Sequence, residues 1–165
     1  MVGFKETLEA VKANSEAGEK NFNVIVETQD DGSIKCTMGA KPFELIIDAP
    51  IGLDGKDLGP SPLLVILAVV GGCTAAVMNF WAKIMDIKID NIKIFSRGHI
   101  NLGGIFGTDD KLLPYFDNIR PVIKIKSSES KETIDKFMKA VWDHTPILNN
   151  MNLASGIEWK YSVKP

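Results

Sequence analysis

The spacing of apolar residues along the chain predicts both helices and strands. Apolar residues recur every three or four positions from about residue 4 to 17 and again within 127–144, which predicts two amphipathic helices. The apolar face of the second helix carries Ile134, Phe137, Met138 and Val141. Elsewhere apolar and polar residues alternate, as in strands, whose successive side chains point to opposite faces of a sheet. The predicted strands cover 22–28, 33–38, 43–48, 88–101 as one strand or as two joined by a bend, 120–126 and 157–163.

Turn-forming residues separate these segments. The sequence DDG at 30–32 predicts a hairpin between the first two strands. Glycines and prolines predict a loop over 49–62, and the stretch 101–118 is loop-like, with GGIFG at 103–107 as a mobile turn. Ser128 or Ser130 is the expected N-cap of the second amphipathic helix.

Residues 63–82 contain no charged side chain, and the helix that they predict extends from Ser61 and Pro62 to about Met85. Such a run is long enough to span a membrane. We favour a helix buried on all sides, because amphipathic segments flank it and no cluster of Lys or Arg marks one end. So short a chain has little protein with which to cover this helix. We therefore expect a homodimer whose core includes it, with a well-covered monomer core as the alternative.

The order of elements predicts an α+β fold, and no domain boundary or repeat interrupts it, so residues 1–165 are expected to form a single domain. Hydrophobic residues make up 45% of the chain and charged residues 24%, which excludes disorder. A domain of about 150 residues buries about 68–70% of its unfolded surface. This one therefore needs neither disulfides nor a structural metal.

The 19 basic and 21 acidic residues give a net charge of −2, and Arg97 and Arg120 are the only arginines. This balance argues against nucleic acid as a partner. The first residues lack the features of a secretory signal, so we expect a cytoplasmic protein, not a membrane protein. In the cytosol Cys36 and Cys73 are expected to be free thiols.

Cys73 is the conspicuous reactive side chain, because it lies inside the apolar helix beside Gly71 and Gly72. Free cysteines most often pack as small hydrophobes, and catalysis is the alternative. The helix dipole fades within the first turn, so a reactive Cys73 needs a cation or base from elsewhere. The candidates are Arg120, His144, His99 and Lys83. Cys36 is interpreted as structural.

Neither a metal site nor a cofactor site is predicted. The two histidines, His99 and His144, and the two cysteines lack the short spacings of zinc ligands. The glycines at 103–107 lack the strand-to-helix context of a phosphate-binding loop.

Four short motifs resemble a known family. GPSP at 59–62, the aliphatic run and GCTA at 72–75 resemble the signature of the OsmC-like superfamily, the osmotically inducible and organic hydroperoxide resistance proteins. FDNI at 116–119 and WDHTPIL at 142–148 resemble later family segments. The resemblance runs from about residue 20 to the end, which leaves 1–20 as an extra or variable helix.

The resemblance implies an intertwined homodimer, with antiparallel sheets wrapped around long, buried central helices and a cysteine site at the subunit interface. It also implies that a cysteine at the position of Cys73 attacks an organic hydroperoxide and becomes a sulfenic acid. This acid then condenses with a second cysteine before thiols reduce it.

The chain departs from this family pattern at three places. Thr145 stands at the position of the second, resolving cysteine and is not expected to resolve. Leu63 or Leu64 stands where many members carry an acid, and no arginine precedes Arg97, although the peroxidases use an early arginine.

These features support two functional hypotheses and a third reading. The first is a one-cysteine, peroxiredoxin-like thiol peroxidase that reduces organic hydroperoxides in oxidative-stress defence, with Cys73 restored by an external thiol or by Cys36. The second is a non-catalytic OsmC-like dimer that binds a hydrophobic small molecule at its interface. The third is a small membrane protein anchored by 63–82.

Overall fold

The computed structural model describes residues 3–39 and 42–152. Its helices are α1 (Phe4–Ala13), α2 (Pro62–Ile84), α3 (Leu102–Phe106), α4 (Lys131–Asp143) and α5 (Pro146–Asn152). Its strands are β1 (Val24–Thr28), β2 (Ile34–Met38), β3 (Phe43–Ile47), β4 (Asn91–His99) and β5 (Asn118–Lys126), and short 3₁₀ turns cover Ser15–Gly18 and Ile51–Leu53. The predicted α+β class is confirmed. The strand expected at 157–163 lies outside the described residues.

The chain forms two compact units, Met1–Pro62 and Leu63–Pro165. In the first, β1, β2 and β3 form an antiparallel sheet in that order. The hairpin predicted at 30–32 is confirmed, since β1 pairs with β2 from Thr28↔Ile34 to Val24↔Met38. Gly32 at the turn has a φ of +88°, which suits glycine. The predicted first helix is shorter than expected and ends at Ala13, before a 3₁₀ turn.

The second unit is built on α2, the β4–β5 pair and α4. The β4–β5 pair and α4 each have one apolar face, α2 is apolar all round, and the buried core consists of Val77, Met78, Ile87, Phe137 and Val141. Alternate isoleucines of the strands pack against it, namely Ile92, Ile94, Ile123 and Ile125. Of the two predicted caps of α4, the structure has Ser130, whose hydroxyl accepts from the Thr133 N–H at 3.1 Å. The segment 88–101 forms one strand, not two.

In the single chain helix α2 is buried on one face only, and the burial on all sides expected from the sequence stays a prediction for the dimer. Its buried residues are Val70, Thr74, Val77 and Met78. An adjoining face is apolar yet exposed, with Ile66 at 39% and Val69 at 44% exposure. Periodicity cannot reveal this difference, because a helix that is apolar all round shows no preferred face.

The glycine-rich segment at 103–107 is not a turn but most of α3 together with its C-cap, Gly107. Asn101 caps this helix by accepting the Gly103 N–H at 2.9 Å, and Gly107 ends it with a left-handed φ of +63°. The glycines concealed the helix, because glycine has low helix propensity. Helix α5 was also not predicted.

Candidate functional site

Cys73 lies in the middle of α2 with a free, half-buried thiol. The side chain packs against the core cluster of Val77, Met78, Ile87, Phe137 and Val141. The next residue, Thr74, is fully engaged, because its hydroxyl donates to the Val70 carbonyl at 2.8 Å. Cys73 is therefore held on the boundary between the packed core and the exposed apolar face of α2.

No hydrogen bond or ion pair reaches the Cys73 sulfur from residues 3–39 and 42–152. A thiolate needs a nearby cation, a helix N-terminus or hydrogen-bond donors to be favoured. Cys73 is eleven residues into α2, which places it about 16 Å from the start of the helix at 1.5 Å per residue. Lys83 is ten residues further along the same helix, about 15 Å away on the same scale. Within the described chain, the thiol therefore has apolar surroundings and no activating group.

The structure places His99 and Arg120 away from Cys73. His99 Nδ1 lies 2.9 Å from Asp117 Oδ2 at the exposed end of β4. Arg120 is the register partner of Arg97. Ser96 and Gly98, the neighbours of Arg97, lie against Gly71 and Leu67 of α2. Because strand side chains alternate, both arginines project from the other face of the β4–β5 pair.

His144 contacts α2 through Trp81. Its ring lies against the Trp81 indole with centroids 4.7 Å apart and a tilt of 44°. Its Nδ1–H donates to the Ala140 carbonyl at 2.8 Å, which fixes the ring at the end of α4. Trp81 is eight residues beyond Cys73, so the contact lies about 12 Å along α2 from the sulfur. His144 therefore supports packing of α4 on α2.

Thr145 is fully buried, with 0% exposure. Its hydroxyl donates to the Val141 carbonyl at 2.6 Å, so the side chain satisfies its own polar group within the core. Thr145 is therefore a packed, hydrogen-bonded core residue. It has no sulfur atom with which to resolve a sulfenic acid.

Cys36 belongs to the first unit and is buried in the middle of β2, opposite Val26 and Leu45. An apolar environment of this kind suits a packing residue. Among the described residues, no group of three or more His, Cys, Asp or Glu side chains is arranged to hold a metal ion.

An apolar groove that the sequence did not predict lies between α2 and β4. Its volume is about 470 Å³. It is lined on α2 by Leu64, Leu67, Ala68, Gly71, Gly72 and Ala75, and on β4 by Ile92, Ile94 and Ser96. The signal that could have revealed it is the repeat of small residues on α2, because small side chains leave space beside a helix.

Comparison with known proteins agrees with this architecture. Residues 54–161 match the family model described as OsmC-like protein. An OsmC-like protein from Mycoplasma pneumoniae superposes with a TM-score of 0.70 at 20% identity, over 82% of this chain and 90% of that one. Comparison with curated proteins found no match.

Two further solved structures share the fold. The organic hydroperoxide resistance protein OsmC from Legionella pneumophila has a TM-score of 0.59 at 14% identity, over 80% of this chain and 89% of that one. An organic hydroperoxide resistance protein from Elizabethkingia anophelis has a TM-score of 0.59 at 16% identity, over 81% and 89%. Identities this low establish the fold alone, whereas the family model covers more than half of the sequence. The chain therefore belongs to the OsmC-like protein family.

Proposed function

We propose that this OsmC-like protein is a one-cysteine thiol peroxidase that reduces organic hydroperoxides. The observation that carries the proposal is the half-buried Cys73 thiol, which borders the exposed apolar face of α2. An apolar surface beside a thiol suits a hydroperoxide with a hydrocarbon body. Two proteins of the same fold are organic hydroperoxide resistance proteins, which supports this substrate class.

The proposed reaction uses Cys73, the organic hydroperoxide and an external thiol. The Cys73 thiolate attacks the terminal peroxide oxygen, the O–O bond breaks and sulfur becomes a sulfenic acid, while the alkoxide leaves and takes up the proton that the thiol had lost. One thiol molecule then displaces water and forms a mixed disulfide with Cys73. A second thiol molecule releases Cys73 as the disulfide of the reductant forms. Thr145 takes no part in this cycle.

We expect the active form to be a homodimer. The apolar residues exposed on α2 include Ile66, Val69, Phe80 and Ile84. Within the described chain, α2 is the one helix long and apolar enough to cross a membrane, a test that core helices of soluble proteins also pass. A second copy would cover this face, and we place such a dimer in the cytoplasm. Its two copies would bring further side chains to Cys73.

Trapping of sulfenic acid tests the peroxidase. The protein is treated with cumene hydroperoxide and dimedone, and adducts are located by mass spectrometry in wild type, Cys73→Ser and Cys36→Ser. We expect an adduct at Cys73 in wild type and Cys36→Ser, and faster loss of hydroperoxide that Cys73→Ser abolishes. No Cys73-dependent adduct and no faster loss would exclude the peroxidase. A Cys36–Cys73 disulfide in wild type would make Cys36 the resolving thiol.

A second function, binding without catalysis, is favoured by the groove between α2 and β4 and by the lack of an activating group at Cys73 within the described chain. Ala68 lines this groove, so Ala68→Leu should fill it and weaken binding of a fluorescent fatty acid about tenfold. Ala10→Leu on the exposed α1 is the matched control. Tight binding that Ala68→Leu removes, together with no oxidation of Cys73, would favour this second function.

Light scattering tests the dimer, with an expected mass of twice 18.1 kDa. Val69→Lys places a charge in the exposed apolar face of α2 and should yield a folded monomer, because a buried unpaired charge is costly. Ser128→Lys, the same change at an exposed site before α4, should remain dimeric. A wild-type monomer at all concentrations would contradict the dimer.

A further inference from the structure

The β4–β5 pair has one face against α2 and one face free of it. The strands are paired over nine residues, from Asn91↔Lys126 to His99↔Asn118. A β-carbon at Gly71 would lie 2.8 Å from Ser96 Oγ, and one at Gly98 would lie 3.0 Å from Leu67. Ser96 and Gly98 thus mark the inner face, and the alternate residues of both strands form the outer face.

The outer face is strongly cationic. Its residues are Asn91, Lys93, Phe95, Arg97 and His99 on β4, and Asn118, Arg120, Val122, Lys124 and Lys126 on β5. Five of these ten are Lys or Arg and none is acidic, in a chain whose net charge is −2. We call Lys93, Arg97, Arg120, Lys124 and Lys126 the cationic face; all five are exposed.

Like charges stand directly opposite each other on this face, as Arg97↔Arg120 and Lys93↔Lys124. Such pairs destabilise an antiparallel sheet. Helix α4, by contrast, has three ion pairs, Lys131–Asp135, Lys136–Glu132 and Lys139–Asp143. Within residues 3–39 and 42–152, none of the five cations has an ion pair. An anion from outside the chain would relieve this repulsion.

An aromatic ring lies between the cations. Phe95 and Val122 form the row between the arginine pair and the lysine pair. The Lys93 and Lys124 ammonium groups lie 5.0 and 5.4 Å from the Phe95 ring centroid. Rows on one face are about 6.6 Å apart, twice the rise per strand residue, so the two cation pairs are about 13 Å apart. The face is therefore an elongated track of cations with a stacking surface in its middle.

We propose that this cationic face docks a single-stranded nucleic acid. Guanidinium groups bind phosphate oxygens in bidentate fashion, and base stacking on an aromatic ring is the sequence-tolerant contact of such strands. Lys93 and Lys124 would turn from the ring to phosphates and leave Phe95 to a base. The numbers of basic and acidic residues in the sequence argued against a nucleic-acid partner. Those numbers do not show that both arginines of the chain lie side by side in the fold.

Two other polyanionic partners fit less well. A lipid bilayer calls for protruding apolar side chains, but the only large exposed hydrophobic residue of this face is Val122, at 46% exposure. An acidic peptide would pair with the cations, but it has no planar base to stack on Phe95.

The test is fluorescence anisotropy of a labelled oligodeoxythymidine, titrated with full-length protein at several salt concentrations. Arg97→Gln/Arg120→Gln should reduce the slope of log affinity against log salt by about 1.4, because each phosphate contact on a single strand contributes about 0.7. Relative to equal affinity at 1 M salt, this slope change corresponds to a loss of about 25-fold at 0.1 M. Phe95→Leu should weaken binding about tenfold with the slope unchanged.

The matched control is Lys131→Gln/Lys136→Gln, which removes two exposed positive charges from α4 and should leave affinity within about twofold. Thermal unfolding monitors the fold, and the arginine variant should be at least as stable as wild type because it loses a repulsion. The proposal is overturned if wild type does not bind the oligonucleotide at low salt or if both double variants lose affinity equally. Tighter binding to polyglutamate or to phosphatidylserine vesicles than to the oligonucleotide would also overturn it.

Discussion

Gly71 of α2 and Ser96 of β4 touch so closely that a β-carbon on Gly71 would lie 2.8 Å from Ser96 Oγ. The absence of a side chain at Gly71 thus sets the distance between α2 and the β4–β5 pair. Gly72, the next residue, has nothing within 4 Å of the corresponding position. Two adjacent glycines in one helix therefore have different surroundings, and each can be tested separately.

Gly71→Ala should gain little stability, although alanine is favoured over glycine in a helix by about 1 kcal/mol, because the new methyl group meets Ser96 Oγ. Ser96→Ala removes that oxygen. In urea unfolding, we expect Gly71→Ala to be more favourable by about 1 kcal/mol in the Ser96→Ala background than in wild type. Equal effects of Gly71→Ala in the two backgrounds would show that residue 71 and Ser96 are not in contact.

Gly72→Ala tests whether a second copy packs closely against α2 in the proposed dimer. In the described chain the methyl group would enter open space, so an isolated subunit should be stabilised by about 0.5–1 kcal/mol. If a second copy packs closely on the small residues Ala68, Gly72 and Ala76, the same change should weaken the dimer. We expect a lower dimer fraction on dilution in light scattering. A more stable and equally tight dimer would contradict a close approach at Gly72.

Asp48 should make the first unit sensitive to acid. Its buried carboxylate accepts N–H groups of Ala49 at 2.8 Å and of Lys56 and Leu58 at 3.0 Å. The bond from Leu58 is the largest cause of a lowered pKa at Asp48, with burial opposing and the other two N–H groups assisting. Because the folded pKa lies below the unfolded value of about 3.9, this stabilisation is full above that value and is lost as the pH falls through the folded pKa.

The measurement for Asp48 is the free energy of unfolding against pH for wild type and Asp48→Asn. Wild type should be more stable at neutral pH, and the difference should shrink as the pH falls below about 4. Asp30→Asn, at an exposed site in the nearby turn, is the control and should follow wild type. A constant difference between wild type and Asp48→Asn across this range would refute the role of the ionised carboxylate.

Thr145→Val tests whether the residue at the resolving-cysteine position is purely structural. The change keeps the shape of the side chain but removes the hydroxyl that donates to the Val141 carbonyl. The variant should be less stable by about 1 kcal/mol, the net contribution of a typical hydrogen bond. The amount of Cys73 sulfenic acid trapped with cumene hydroperoxide should not change. A folded variant that no longer oxidises Cys73 would assign Thr145 a part in the chemistry.

Features that depend on residues close together in the sequence were predicted well. The strands β1 to β5, the helices α2 and α4 and the turn at Gly32 follow from alternation, helical spacing and turn residues within short segments. Helix α3 was missed because its glycines argue against a helix locally, while its Asn101 cap and Gly107 end allow one. The close packing of α2 on β4 was not predictable, because Gly71 and Ser96 come from separate segments.

The sequence by itself determined the order of elements, the α+β class, the family motif and the position of Cys73 in the apolar helix, because these depend on residue types at fixed spacings. Only the tertiary structure decided that α2 is covered on one face and that Arg97 and Arg120 stand side by side. It also decided that none of the described residues activates Cys73. The physical reason is that register and packing between distant segments depend on the fit of whole surfaces, which no local spacing records.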